Sequence, residues 1–159
     1  MRKISKGKNM QAQRKANKIS EHFAKKDFIC RCGDCDNSIR ISLGLIGGLE
    51  LLRSKVNSRI DIVKGYICPE SAEKDGRLKK NYHTLGLAAD IKCSGVSFKE
   101  FFLQAEETPE FIGIGINIDK KYLHVDTRKD KERKIWVFEG DEEVPITSSN
   151  REDYLEKLK

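Results

Sequence analysis

The sequence predicts a single α+β domain with a mainly antiparallel sheet flanked by helices. Helix-like and strand-like segments follow one another along the chain, and the strand-like segments 111–118 and 121–127 are separated only by a short turn. Strands joined so closely pair in antiparallel fashion. A length of 159 residues is enough for one hydrophobic core but short for two.

Helices are predicted from apolar spacing and from capping residues. Apolar side chains recur at the spacing of one buried helix face at Leu45, Leu49, Leu52 and Val56. Ser97 and Glu100 form a capping-box pattern that begins a second helix, and Pro109 ends it. A short amphipathic helix or turn is expected over 19–28, and a charged, capped helix over 148–159.

Strands are predicted at 59–63, 111–118, 121–127 and 133–140, which are rich in β-branched and aromatic residues. The segment 67–80 is polar and contains Pro69, Gly76 and many charges. These residue types favour turns, so this segment is predicted to be a surface loop.

Positive charge is concentrated at the start of the chain. The net charge is +6, yet residues 1–26 alone carry nine Lys or Arg against one acidic residue, so the remainder has a net charge of −2. We expect residues 1–18 to be a basic, disordered tail, although such a tail can also bind nucleic acid. The near-neutral remainder disfavours nucleic acid as the main partner.

No apolar run reaches the 18 residues of a membrane-spanning helix, so no membrane insertion is expected. The basic start also lacks the apolar stretch of a secretory signal. We therefore expect a monomeric protein made in the cytoplasm, which could reach a cell wall after lysis.

The five cysteines form an odd set in which Cys32 and Cys35 make a CxxC pair close to Cys30. A structural zinc here would need a fourth ligand, Cys68 or Cys93, brought in by the fold. Buried free thiols are the preferred interpretation, since a second CxxC pair is missing. We expect Cys30, Cys32 and Cys35 to lie near one another in either case.

The stretch "NYHTLGLAADIK" holds His83 and Asp90 seven positions apart. On one helix they would be separated by about 10 Å, and on a straight strand by more, so they can share an ion only if the chain folds back between them. Gly86 supplies the flexible point for such a turn.

His124 lies in "YLHVD", where strand alternation places Tyr122, His124 and Asp126 on one face and apolar residues on the other. A His/Asp/His set offers two neutral nitrogens and one anionic oxygen. This set suits zinc with one coordination position left open for water.

Two stretches resemble the signatures of the zinc D-Ala-D-Ala peptidase family, which includes the hedgehog signalling domain. "YHTLGLAADI" matches H-x-x-G-x-A-x-D, and "GIGINIDKKYLHVDTR" followed by Trp136 resembles the glycine-rich strand that precedes H-V-D. The similarity runs from about Ile19 to Trp136. It implies a hedgehog/DD-peptidase-like zinc peptidase domain over 19–139, with zinc in a surface cleft. Residues 140–159 would then be a C-terminal extension with a short helix.

The resemblance implies that His83, Asp90 and His124 bind one catalytic Zn2+. It also implies hydrolysis of peptide bonds next to D-amino acids in peptidoglycan stem peptides, as a carboxypeptidase or an endopeptidase such as a phage-type lysin. Three residues occupy the family's substrate-binding positions or neighbour them: Lys64, Tyr66 and Asn81. Ile67 stands where the family has an arginine, so Lys64 is the candidate for the cationic role.

The general base also departs from the family pattern. Many members carry an acidic residue or histidine two or three positions before the last zinc histidine, and here those positions are Tyr122 and Lys121. Asp126 is expected to be the base, or else a carboxylate that orients a ligand. Asp119 is the next candidate for the base. These departures leave a non-catalytic zinc domain that binds cell wall or a protein partner as the alternative function.

Overall fold

The computed structural model describes residues 17–38 and 40–159. In this part of the chain the helices are α1 (Lys25–Phe28), α2 (Leu43–Val56), α3 (Pro69–Lys74), α4 (Phe98–Glu106) and α5 (Arg151–Lys157). The strands are β1 (Asp61–Lys64), β2 (Ala88–Lys92), β3 (Gly113–Asn117), β4 (Tyr122–Asp126), β5 (Lys134–Glu139) and β6 (Glu142–Pro145). The predicted tail 1–18 lies outside the described residues except for Asn17 and Lys18. None of these helices has the length and apolar character needed to cross a membrane.

The described strands form one sheet in the order β1-β2-β4-β3-β5-β6. Every neighbouring pair is antiparallel except β3 and β5, which run parallel. The predicted α+β class with a mainly antiparallel sheet is confirmed.

One face of the sheet packs against helices and forms the main hydrophobic core. Alternation within β4 places Leu123 and Val125 in this core, while His124 and Asp126 point to the opposite face. Helices α2, α4 and α5 supply the covering layer, through side chains such as Leu49, Phe101 and Leu155. The sheet therefore has a core face and a second face on which polar groups can gather.

The segment 67–80, predicted to be a loop, contains helix α3. Proline favours turns, but it is also well tolerated in the first turn of a helix, where no intrahelical N–H bond is lost. Here Pro69 begins the helix and the Cys68 sulfur accepts a hydrogen bond from the Ser71 backbone N–H.

Strand β6 and helix α5 join residues 140–159 to the rest of the fold. β6 pairs with β5, and α5 places Tyr154 and Leu155 in the main core. The predicted short C-terminal helix is present at Arg151–Lys157. This extension is thus packed against the domain that precedes it.

Gly86 closes the turn that lies between His83 and strand β2. It has φ +69°, and an added Cβ would overlap the backbone carbonyl of Arg40. Gly76 has a similar φ of +72°, but an added Cβ would meet nothing within 4 Å.

Gly86→Ala is therefore expected to destabilise the protein far more than Gly76→Ala. The left-handed conformation alone costs about 1–2 kcal/mol for alanine, whereas overlap with backbone adds a further cost of about 1–3 kcal/mol. Urea unfolding of the two variants measures the difference. Equal losses of unfolding free energy would show that the turn at Gly86 has no tight contact.

Candidate metal centre and its cleft

Two paired strands and one tight turn bring His83, Asp90 and His124 together. Asp90 of β2 lies directly opposite His124 of β4 in the antiparallel register, so their side chains share one face. The turn that ends at Gly86 returns His83 to the same place, with the Leu87 N–H donating to the Tyr82 carbonyl at 2.9 Å. One ligand atom from each of the three residues lies within 4.8 Å of the others.

His83 has one ring nitrogen that is fixed and one that has no hydrogen-bond partner. Nδ1 lies 2.8 Å from the Gly65 carbonyl oxygen, which can only accept, so Nδ1 carries the hydrogen. Nε2 is buried without a hydrogen bond, 3.3 Å from an Asp90 carboxylate oxygen. A buried nitrogen lone pair beside a carboxylate oxygen fits the coordination of a metal ion.

His124 has a carboxylate at each ring nitrogen. Its Nδ1 is 2.9 Å from Asp90 Oδ1, and its Nε2 is 3.1 Å from Asp126 Oδ2. If Nε2–H donates to Asp126, the Nδ1 lone pair faces the same point as Asp90 and His83 Nε2. The side chain of His124 is thus held in an orientation suited to a metal ligand.

Asp126 is fully buried and both of its oxygens are engaged. Arg128 donates through Nε to Oδ1 at 2.8 Å and through Nη2 to Oδ2 at 2.6 Å, a bidentate ion pair. The Arg128 guanidinium also lies 4.4 Å from the Tyr82 ring centre and 5.1 Å from that of Trp136. Arg128 therefore neutralises the buried carboxylate and contacts two aromatic rings.

Glycines on β3 leave room for these side chains. Gly113 is paired with Asp126, and Gly115 is paired with His124. A Cβ at Gly113 would overlap the Asp126 carboxylate, and one at Gly115 would lie 2.8 Å from the Trp136 indole. In the pattern "GIGIN", the isoleucines thus fill the core, and the glycines leave space for the side chains of the candidate centre.

The centre favours positive charge. Burial tends to raise the pKa of Asp90, but the close approach of the His124 and His83 imidazoles holds that pKa well below its usual range. Burial tends to lower the pKa of His124, yet its contacts with Asp126 and Asp90 raise it to about 9. The same electrostatics stabilise either a proton or a metal cation between these groups.

The centre lies in a cleft of about 870 Å³. Charged side chains of both signs line it: Asp75, Arg77, Asp90, Lys120, Arg128, Asp141 and Glu143. Aromatic walls come from Tyr82, Tyr122, Trp136 and Phe138. Its volume lies within the range of about 300–1,000 Å³ that is typical of ligand sites in proteins.

The residues predicted to bind substrate occupy different places. Asn81 lines the cleft, but its Oδ1 accepts hydrogen bonds from the backbone N–H groups of His83 and Thr84, so it also holds the turn. Lys64 is paired with Asp90 in the sheet register, and Tyr66 packs beside the cysteines. Neither of these two is among the residues that line the cleft.

Arg128 is a candidate site residue that the motifs above do not predict. The signal for it is the alternation that places Tyr122, His124 and Asp126 on one face, because two further positions along the chain lead to Arg128. The role of Arg128 depends on the burial of Asp126 and on the contacts of Arg128 with Tyr82 and Trp136, which are properties of the tertiary structure.

A comparison with known protein families matches the part of the chain that contains the candidate centre. The model of a family described as Peptidase M15 matches residues 21–126, about two thirds of the chain. This range includes all three residues of the candidate centre. No curated protein and no solved structure matches the chain.

Proposed function

Since the chain belongs to the peptidase M15 family, whose members are zinc-dependent peptidases, we propose that it hydrolyses peptide bonds next to D-amino acids in peptidoglycan stem peptides. The observation that carries this proposal is the convergence of His83, Asp90 and His124 within 4.8 Å in an open cleft. Two imidazoles and one carboxylate are the donor set of a catalytic zinc with an open position.

The three residues would hold zinc through His83 Nε2, an Asp90 carboxylate oxygen and His124 Nδ1. The other nitrogen of each histidine is already fixed, by the Gly65 carbonyl and by Asp126 respectively. When bound, zinc supplies a Lewis acid that polarises a carbonyl and acidifies water. The chain's own contribution is to hold both imidazoles in the orientation that zinc requires.

Asp126 is better suited to orient His124 than to accept the proton. Both of its oxygens are bound by Arg128 and His124, and the side chain is fully buried. Of the two roles expected from the sequence, these contacts favour the orienting carboxylate. Asp126 is then a positioning residue.

Asp126→Asn is expected to weaken zinc binding by about 10–100-fold, the usual effect of removing a carboxylate that supports a metal histidine. At saturating zinc, the variant should regain most of its turnover. Zinc affinity from chelator competition and kcat at saturating zinc measure these two effects separately. A collapse of kcat with zinc fully bound would instead assign the general base to Asp126. Asp153→Asn, at an exposed residue of α5 outside the cleft lining, is the matched control and should change neither quantity.

A carboxylate that lines the cleft must then accept the proton. Among the described residues, the acidic side chains that line it besides Asp90 are Asp75, Asp141 and Glu143. Asp141 and Glu143 belong to the β5–β6 hairpin, whose strand β5 also carries Trp136 at the cleft wall. We place the proton acceptor in this set.

Cations and one phenol in the cleft suit a peptide with free carboxylates. Arg77, Lys120 and Arg128 line the cleft. Because the Arg128 charge is compensated by Asp126, Arg77 and Lys120 are the candidates for the positive charge that Lys64 was expected to give. Burial, followed by the charge of Asp90, raises the pKa of Tyr122 above its ordinary value. Tyr122 therefore stays a neutral phenol at neutral pH and can donate a hydrogen bond to a developing oxyanion.

Digestion of purified peptidoglycan tests the proposed function. The zinc-loaded protein should release products whose masses identify a bond next to a D-amino acid, and a chelator should stop their release. Product masses distinguish carboxypeptidase from endopeptidase action, because only the former releases a single terminal residue.

A non-catalytic zinc domain that binds cell wall is the second candidate. It is favoured by Lys121 and Tyr122 at the family's base positions and by Ile67 at its arginine position. In that case the zinc-loaded protein would co-sediment with peptidoglycan at stoichiometric levels and leave the stem peptides intact.

A further inference from the structure

Four of the five cysteines form a second cluster, which we call the cysteine cluster: Cys30, Cys32, Cys35 and Cys68. Their sulfur atoms all lie within 4.8 Å of one another. The fold thus brings in Cys68, and not Cys93, as the fourth member. The cysteines are not bonded to each other as disulfides.

The spacing and contacts of these sulfurs fit a tetrahedral metal site. Zinc–sulfur bonds of about 2.3 Å place the sulfurs of a tetrahedron about 3.8 Å apart. Cys32 Sγ and Cys68 Sγ are 3.8 Å apart. Backbone N–H groups also point at three of the sulfurs, from Cys68 to Cys30, from Asp34 to Cys32 and from Ser71 to Cys68, each at 3.4 Å. Such donors stabilise thiolates, the form in which cysteine binds metal.

The surroundings of the cysteine cluster provide little other stabilisation. Residues 29–38 contain neither helix nor strand. Apart from Cys30 and Cys68, the buried apolar residues around the cluster are Ile67 and Ala72, and these form a group separate from the main core. A metal bound by four side chains stabilises a segment that buries so little apolar surface.

We propose that the cysteine cluster binds a structural zinc ion through four thiolates. This site has no open position for substrate, in contrast to the His83–Asp90–His124 centre, and it joins residues 30–35 to the start of α3. It also adjoins the segment that orients His83, because Cys68 follows Gly65 by three residues and the Gly65 carbonyl fixes His83 Nδ1. The Tyr66 N–H donates to the Phe28 carbonyl at 2.9 Å, which ties the same segment to the end of α1.

Zinc content of the full chain, purified under reducing conditions, tests the proposal. Wild-type protein should hold two zinc ions and Cys35→Ser one. Cys93→Ser, the matched control at the cysteine outside the cluster, should hold two. Equal zinc in wild type and Cys35→Ser would overturn the proposal, and so would iron in place of zinc.

Two measurements on proteins with an intact cysteine cluster keep the test decisive if Cys35→Ser does not fold. In His83→Ala, X-ray absorption of the remaining zinc should report four sulfur neighbours at about 2.3 Å, and a shell of nitrogen and oxygen would contradict the proposal. In the wild type, iodoacetamide should label the four cluster thiols only after a zinc chelator is added. Labelling of these four at the rate of Cys93 without chelator would also overturn it.

Discussion

His83→Ala is expected to remove one zinc ion per chain and to lower turnover of peptidoglycan by at least about 10³-fold. A metal that polarises the reacting carbonyl contributes several kcal/mol to transition-state stabilisation, and about 4 kcal/mol corresponds to this factor. Alanine removes His83 Nε2, which among the described residues is the one ring nitrogen of the centre without a hydrogen-bond partner. Elemental analysis and product masses from peptidoglycan digestion measure the two losses.

His22→Gln is the matched control for this experiment. His22 is bound to Glu50, with its Nδ1 2.7 Å from a carboxylate oxygen, and it belongs to neither group of candidate metal ligands. The control should keep its zinc and its activity. Retention of full zinc and turnover in His83→Ala would refute the assignment of His83 as a ligand.

Arg128→Ala is expected to lower the free energy of unfolding by about 3 kcal/mol. Breaking a buried ion pair from one side leaves the other charge without compensation, which typically costs about 3–5 kcal/mol. The lower end applies because His124 still contacts Asp126. Chemical denaturation of the zinc-loaded protein measures the loss.

The double variant Asp126→Asn, Arg128→Ala separates loss of charge compensation from loss of packing. With the buried carboxylate neutralised, most of the lost stability should return. Arg128→Lys keeps the charge but loses the bidentate geometry, so its loss should be intermediate. A double variant as unstable as Arg128→Ala would show that Arg128 acts through its contacts with Tyr82 and Trp136 instead.

Local patterns predicted much of this fold because they depend on neighbours in the sequence. The apolar spacing from Leu45 to Val56 predicted α2, and the Ser97 cap predicted α4, where the Ser97 hydroxyl accepts the Glu100 N–H at 3.1 Å. The alternation around His124 predicted the face on which it lies. Helix α3 was missed because its polar residues hide a proline-initiated first turn.

Long-range pairing could not be predicted in the same way. Asp90 and His124 are 34 residues apart, and only the register of β2 against β4 places them opposite each other. The choice of Cys68 over Cys93 as neighbour of the CxxC pair likewise depends on where α3 begins in space. The resemblance to a family predicted the three candidate ligands, but the contacts of Asp126 with Arg128 emerge only from the packed structure.

A zinc-edge anomalous difference map from crystals of the zinc-loaded protein tests the central claim most directly. We predict a peak about 2.0–2.2 Å from His83 Nε2, an Asp90 carboxylate oxygen and His124 Nδ1, with Asp126 bound to the far nitrogen of His124. A map in zinc-replete crystals without a peak among these three residues would contradict the account.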